Sequence, residues 1–175
     1  MNQQPKDKLD EQSIRDFFAK WETALNSGDP ERVASLMTDD VVYSAPEIPE
    51  TLHGRDAVSK YLGVFFRAFP EQKYELLEMY RSLDGTWAAD RVRWQGTMFG
   101  PLDPPGFAPT GTRVEAELAG FFQFRDGLIS SFTAIYDMLH IGQQIGAAPG
   151  AGSLGERMGV LMQRLAARRM RRRDR

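Results

Sequence analysis

Two side chains in the last third of the chain have the types and spacing for proton transfer. Asp137 and His140 stand three residues apart in Tyr136-Asp137-Met138-Leu139-His140. On a short helix that spacing gives them one face, where the imidazole can orient the carboxylate or relay its proton. A carboxyl set against an apolar wall keeps its proton to higher pH, as a general base working near neutrality requires. The same aspartate has a second reading. Where a strand turns into a helix, Asp is a favoured N-cap that accepts a backbone N–H two or three residues on, with no chemistry implied.

The other polar candidates also divide. Arg91 and Arg93 share one face of a strand, opposite Val92 and Trp94. Facing a cavity, their guanidinium groups favour an anionic or enolate-bearing ligand. Facing out, they are solvated or pair with acids on neighbouring strands. His53 precedes Gly54 and reads as a loop contact. Tyr43, Trp21 and Trp94, with the phenylalanines, either line a pocket for a flat ligand or fill a core. The chain has two His and no Cys. It shows no His/Asp/Glu spacing suited to a metal, no nucleophile elbow and no phosphate loop, so no cofactor is expected.

Apolar periodicity defines the elements that must position these residues. Ile14, Phe17, Phe18, Trp21 and Leu25 recur at helical spacing before Asn26-Ser27-Gly28-Asp29-Pro30, which stops one helix and caps the next. The second helix is expected to carry Val33, Leu36 and Met37 and to end at Thr38-Asp39-Asp40. Val41-Val42-Tyr43 is a short β-rich run, and Val58, Tyr61, Leu62, Phe65 and Phe66 mark a third helix. Four strands follow, over 73–82, 86–97, 113–125 and 128–136, with Asp84-Gly85 and Asp126-Gly127 as turns. The Pro/Gly-rich stretch 100–111 reads as a loop at the rim of a site. A short helix over about 138–145 closes the domain.

The 175 residues suit one domain with appendages: a disordered 1–11, a domain over 12–146, a Gly/Ala/Pro linker over 147–153 and a basic amphipathic helix with an Arg-rich tail over 154–175. Residues 153–175 hold eight Arg against Glu156 and Asp174, a net +6, which leaves −8 on residues 1–152 of a chain whose total is −2. The tail's apolar stripe suits docking on a partner subunit. Contact with nucleic acid or a membrane surface is a less favoured reading, and the terminal Arg run is expected to be disordered. The polar N-terminus and the absence of Cys point to the cytosol.

The order of elements resembles the nuclear transport factor 2-like cone over roughly residues 12–146. Three short motifs add to the likeness: Ala24-Leu25-Asn26-Ser27-Gly28-Asp29, His53-Gly54-Arg55-Asp56-Ala57-Val58 and Asp126-Gly127-Leu128-Ile129. Pro109-Thr110-Gly111-Thr112-Arg113-Val114 and the segment from Tyr136 to Gly146 resemble the SnoaL-like polyketide cyclases. The resemblance implies that Asp137, before the closing helix, is the acid/base of a cofactor-free reaction that forms an enolate beside a carbonyl. Two related chemistries of the fold are not expected, because the residues they need are missing. The Arg-x-Asp of limonene epoxide hydrolases reads Arg91-Val92-Arg93 here, and their second Asp aligns with Ala134. The ketosteroid isomerase base falls on Ala45, its Tyr near Trp21 and its oxyanion-hole Asp at Gly120 or Phe121.

The expected fold is therefore α+β: a cone-shaped, strongly curved antiparallel sheet, cystatin-like, with three N-terminal helices closing a pocket. The expected function is a cyclase or isomerase acting on a hydrophobic carbonyl compound, with Asp137 and His140 catalytic and Tyr43, Arg91, Trp21, His53 and Trp94 binding substrate. The alternative is a non-catalytic module of the same fold that holds a lipid-like or polyketide ligand or serves dimerisation. A homodimer is expected in either case.

Overall fold

The computed structural model describes residues 9–103 and 106–173. Helix α1 (Glu11–Asn26) starts where Asp10 Oδ1 accepts the Ser13 N–H at 2.7 Å, and its buried stripe is Ile14, Phe17, Phe18, Trp21, Ala24 and Leu25. Asp29 caps α2 (Pro30–Ala34) through the N–H groups of Glu31 and Arg32. This helix is shorter than the sequence suggests. Strand β1 (Met37–Ser44) begins at once, because the Leu36 carbonyl accepts the Ile129 N–H and Met37 pairs with Ile129. A sheet partner some ninety residues away overrides the local helical pattern.

The remaining elements are β2 (Leu52–His53), α3 (Arg55–Ala68), β3 (Lys73–Arg81), β4 (Trp87–Thr97), β5 (Arg113–Arg125), β6 (Leu128–Ile135), α4 (Met138–Gln144) and α5 (Leu154–Arg173). Six strands form one sheet in the order β2-β1-β6-β5-β4-β3. The four long strands are antiparallel as their turns require, and Asp126 and Gly127 both take positive φ in the β5–β6 hairpin. The sheet departs from a purely antiparallel one at β1, which runs parallel to β6. No hairpin constrains that pair, since β6 comes to lie beside β1 only after β2, α3 and three further strands. Register shifts in the β3–β4, β5–β6 and β1–β6 pairs add local twist to the sheet.

Helices α1 and α3 pack on the concave face. One core cluster joins Phe17, Phe18 and Trp21 of α1 to Phe122, Phe124 and Phe132 of the sheet. A second, at the other end of α3, gathers Ala68, Phe69, Trp94, Met98, Val114 and Ile145. Phe65 and Tyr74 are partly buried and pack against both. The loop after β4 is tied down at its start: the N–H groups of Phe99 and Gly100 both reach the Ala68 carbonyl. A Cβ on Gly100 would lie 2.4 Å from the Arg67 carbonyl oxygen, so only glycine allows that approach.

Of the expected disordered segment 1–11, residues 1–8 lie outside the described residues. Leu9 donates its N–H to the Gly85 carbonyl, and α1 starts at Glu11. At the other end α5 continues as helix through Arg168–Arg173, where disorder was expected, and residues 174–175 lie outside the described residues. Among the described residues no helix is long and apolar enough to cross a membrane.

Candidate functional site

The concave face of β4 carries Ala88, Asp90, Val92 and Trp94, all buried. An aspartate in that row is the exception that asks for a reason, because burying a carboxylate is costly unless it is protonated or well bonded. Asp90 is 4 % exposed, and its Oδ1 accepts the Gly120 N–H at 2.8 Å from the paired residue of β5. Burial pushes its carboxyl up to about 7, against the smaller opposing effect of that hydrogen bond. A group poised there exchanges a proton readily at neutral pH. Gly120 is what lets the carboxylate lie against the strand: a Cβ there would meet Asp90 Oδ1 at 2.6 Å, Phe122 at 2.9 Å and Phe132 at 3.0 Å.

A second interior carboxylate comes from the turn after β1. Glu47 accepts the phenol O–H of Tyr61, from α3, on one oxygen and that of Tyr136, from the end of β6, on the other. Burial raises its pKa, while the bond from Tyr61 pulls it back down. Tyr74, on the concave face of β3, lies within electrostatic reach of both acids. Burial and the nearby charges of Glu47 and Asp90 keep its phenol protonated well above the usual range. Tyr43 and Tyr61 are held neutral in the same way, by burial first. The interior thus presents proton donors that do not ionise, beside one carboxyl that does so near neutrality.

The residues expected to form the site are dispersed. Asp137 is exposed and its Oδ1 accepts the His140 N–H at 2.9 Å, the N-cap of α4. His140 is exposed on the same turn, and His53 is exposed in β2, paired with Val42. Asp137 and His140 thus lack the buried apolar setting on which the acid/base reading depended, and His53 lies outside the interior. Arg91 and Arg93 lie on the outer face. Arg91 bonds Glu78 and Glu117 on the flanking strands at 2.9 Å each, and Arg93 bonds Glu75 at 3.1 Å.

Tyr43 and Trp21 do lie in the interior, both against Phe132, with ring centroids at 4.8 Å and 5.7 Å. Trp94 belongs to the other cluster, where its Nε1 donates to Gln72 at 3.3 Å.

Arg91 and Arg93 are turned outward, and the inward residues of β4 are Ala88, Asp90, Val92 and Trp94, which include a carboxylate and no arginine. Gly120, where an oxyanion-hole aspartate was sought, is covered by the Asp90 carboxyl from the next strand. Sequence reasoning missed Asp90, Glu47, Tyr61, Tyr74 and Tyr136. For Asp90 a signal existed, since it shares the parity of Val92 and Trp94.

A surface groove of about 490 Å³ lies elsewhere, between α1 and α2, lined by Asp16, Lys20, Arg32 and Leu36 among others. It holds no member of the interior network. Inside the cone, the acids and phenols are accompanied by the half-buried Phe65, Leu118 and Ala134.

A helix-covered, curved and unclosed sheet with acids and phenols on its concave side defines a nuclear transport factor 2-like α+β cone. The chain belongs to the SnoaL-like domain family, whose model matches residues 14–132. No curated protein matches the sequence. Among solved structures it is similar to TsrD from Streptomyces laurentii, with 21 % identity and a TM-score of 0.69 over 80 % of this chain and 99 % of that one. It is also similar to a protein described as a SnoaL-like polyketide cyclase from Jannaschia Sp. CCS1, with 17 % identity and a TM-score of 0.68 over 85 % and 99 %. A third is the epoxide hydrolase/cyclase-like enzyme SalBIII, with 23 % identity and a TM-score of 0.62 over 75 % and 95 %. At these identities the likeness is one of fold.

Proposed function

We propose that the chain is a cofactor-independent cyclase or isomerase of the cytosol that acts on a hydrophobic carbonyl compound of polyketide type, with Asp90 as its acid/base. The observation that carries this reading is the single buried carboxyl on the concave face of β4, held by the Gly120 N–H and poised at about 7. Ionised Asp90 takes the proton from a carbon beside the carbonyl. The electron pair moves onto the carbonyl oxygen, and the neutral phenol of Tyr74 donates a hydrogen bond to the enolate that forms. The enolate carbon then attacks a second carbonyl, closing a ring whose alkoxide takes the proton back from Asp90, or Asp90 returns the proton to a different carbon of the conjugated enolate. The cyclase description of the Jannaschia protein supports ring closure as the outcome, and the pyran formation named for SalBIII is ring closure, there through an oxygen, by a protein of similar fold.

The test needs no native substrate. A panel of hydrophobic β-dicarbonyl compounds is incubated with the protein in deuterium oxide, and exchange at the activated carbon is followed by NMR. Exchange above the buffer rate, rising through about pH 7 and lost in Asp90→Asn, is the expected result. Exchange that survives Asp90→Asn refutes the assignment. The binding-only reading draws on the closed Glu47–Tyr61–Tyr136 network, in which both carboxylate oxygens are already occupied. It predicts ligand affinity without exchange in either version. A homodimer would use the outer face, where Trp87, Phe121 and Ile135 are 40 %, 41 % and 56 % exposed on adjacent strands.

A further inference from the structure

Helix α5 is a large feature that the proposed chemistry leaves unused. Leu154, Met158, Leu161, Met162 and Leu165 are 45–80 % exposed, and among the described residues no side chain of α5 is buried. A lone helix containing Gly155 and Gly159 is marginal in water, so this stripe requires a cover. At 3.6 residues per turn the five apolar residues fall within an arc of about 100°. Arg157, Arg164 and Arg168 follow one margin of that arc and Arg169 lies inside the other, while Glu156 is on the far side.

The residue pattern separates the candidate covers. As a coiled-coil seam, Leu154, Met158, Leu161 and Leu165 supply only two heptads before Arg168 and Arg172 fall on the next core positions, which is too short to zip two copies together. Nucleic acid would leave the apolar stripe uncovered, and residues 153–175 contain no aromatic side chain to stack on bases. An anionic bilayer satisfies both halves of the pattern. Its acyl boundary covers Leu and Met, and its phosphates accept hydrogen bonds from guanidinium groups whose stems extend alongside. The charge split restricts the contact to this helix, since the +6 segment is attracted to such a surface and the −8 remainder is repelled.

We infer that α5 is an interfacial anchor that lays its Leu/Met stripe into an anionic lipid surface. The linker over 147–153 lets the helix lie flat while the cone stays clear of the headgroups.

Sedimentation of the full chain with vesicles of phosphatidylcholine plus phosphatidylglycerol, against vesicles of phosphatidylcholine alone, tests the inference. Binding at least about tenfold stronger to the anionic vesicles is expected, weakening with salt. Arg164→Ala or Arg168→Ala should each weaken it about fivefold. Leu161→Asp should abolish it without changing the thermal unfolding of the cone, because Leu161 touches none of the core. Equal binding to both vesicle types, no binding, or binding unaffected by Leu161→Asp would overturn the inference. So would a two-chain mass in solution that Leu161→Asp converts to one, since a second copy would then be the cover.

Discussion

Replacing Asp90 by Asn is expected to stabilise the protein at neutral and alkaline pH while removing its proposed chemistry. Burial lifts the carboxyl from its ordinary 3.8 to about 7. Between those values the folded chain keeps a proton that the unfolded chain has released, so stability is greatest below about pH 4 and falls as pH rises toward 7. Above about 7 both states are ionised, and the loss has reached its full size, about 4 kcal/mol at about 1.36 kcal/mol per pH unit.

Asn keeps the size of the side chain and an oxygen for the Gly120 N–H, and it has nothing to ionise. Urea unfolding of both proteins at about pH 5 and about pH 8 measures the effect, and titration of every other group cancels in the comparison. The stability gap should shift toward the variant by about 2 to 3 kcal/mol between the two conditions, the part of the loss that falls between pH 5 and 7. Parallel pH dependences would refute the buried, proton-retaining Asp90 and the mechanism built on it. The expected outcome is a residue kept against stability, as functional sites often require.

Gly120→Ala should cost about 1 to 3 kcal/mol, read by thermal unfolding, because its Cβ would stand 2.6 Å from Asp90 Oδ1 and 2.9 Å from Phe122 in a packed interior. Asp137→Ala removes the acceptor for the His140 N–H and should lower stability by about 1 kcal/mol while leaving deuterium exchange intact. Arg91→Ala breaks an exposed pairing with Glu78 and Glu117, and its effect on urea unfolding should stay within about 1 kcal/mol, with no change in exchange.

The sequence by itself determined the local elements. Strands β3 to β6 begin and end within a residue or so of their expected bounds, because their alternation and the Asp-Gly turns act over neighbouring residues. It also determined that Arg91 and Arg93 share a face opposite Val92 and Trp94. Pleat parity needs no partner strand, and it placed Asp90 with the apolar set. Which face turns inward was decided only by where α1 and α3 pack, and this sent the arginines to the glutamates of β3 and β5 and Asp90 to the core. Tertiary structure also decided the end of α2 and the parallel β1–β6 pair, both fixed by residues about ninety positions apart. The same holds for the Glu47 cluster, whose acid comes from a turn and whose phenols come from α3 and the end of β6. No local pattern encodes such a meeting, since its members are brought together only when the sheet curves around the helices.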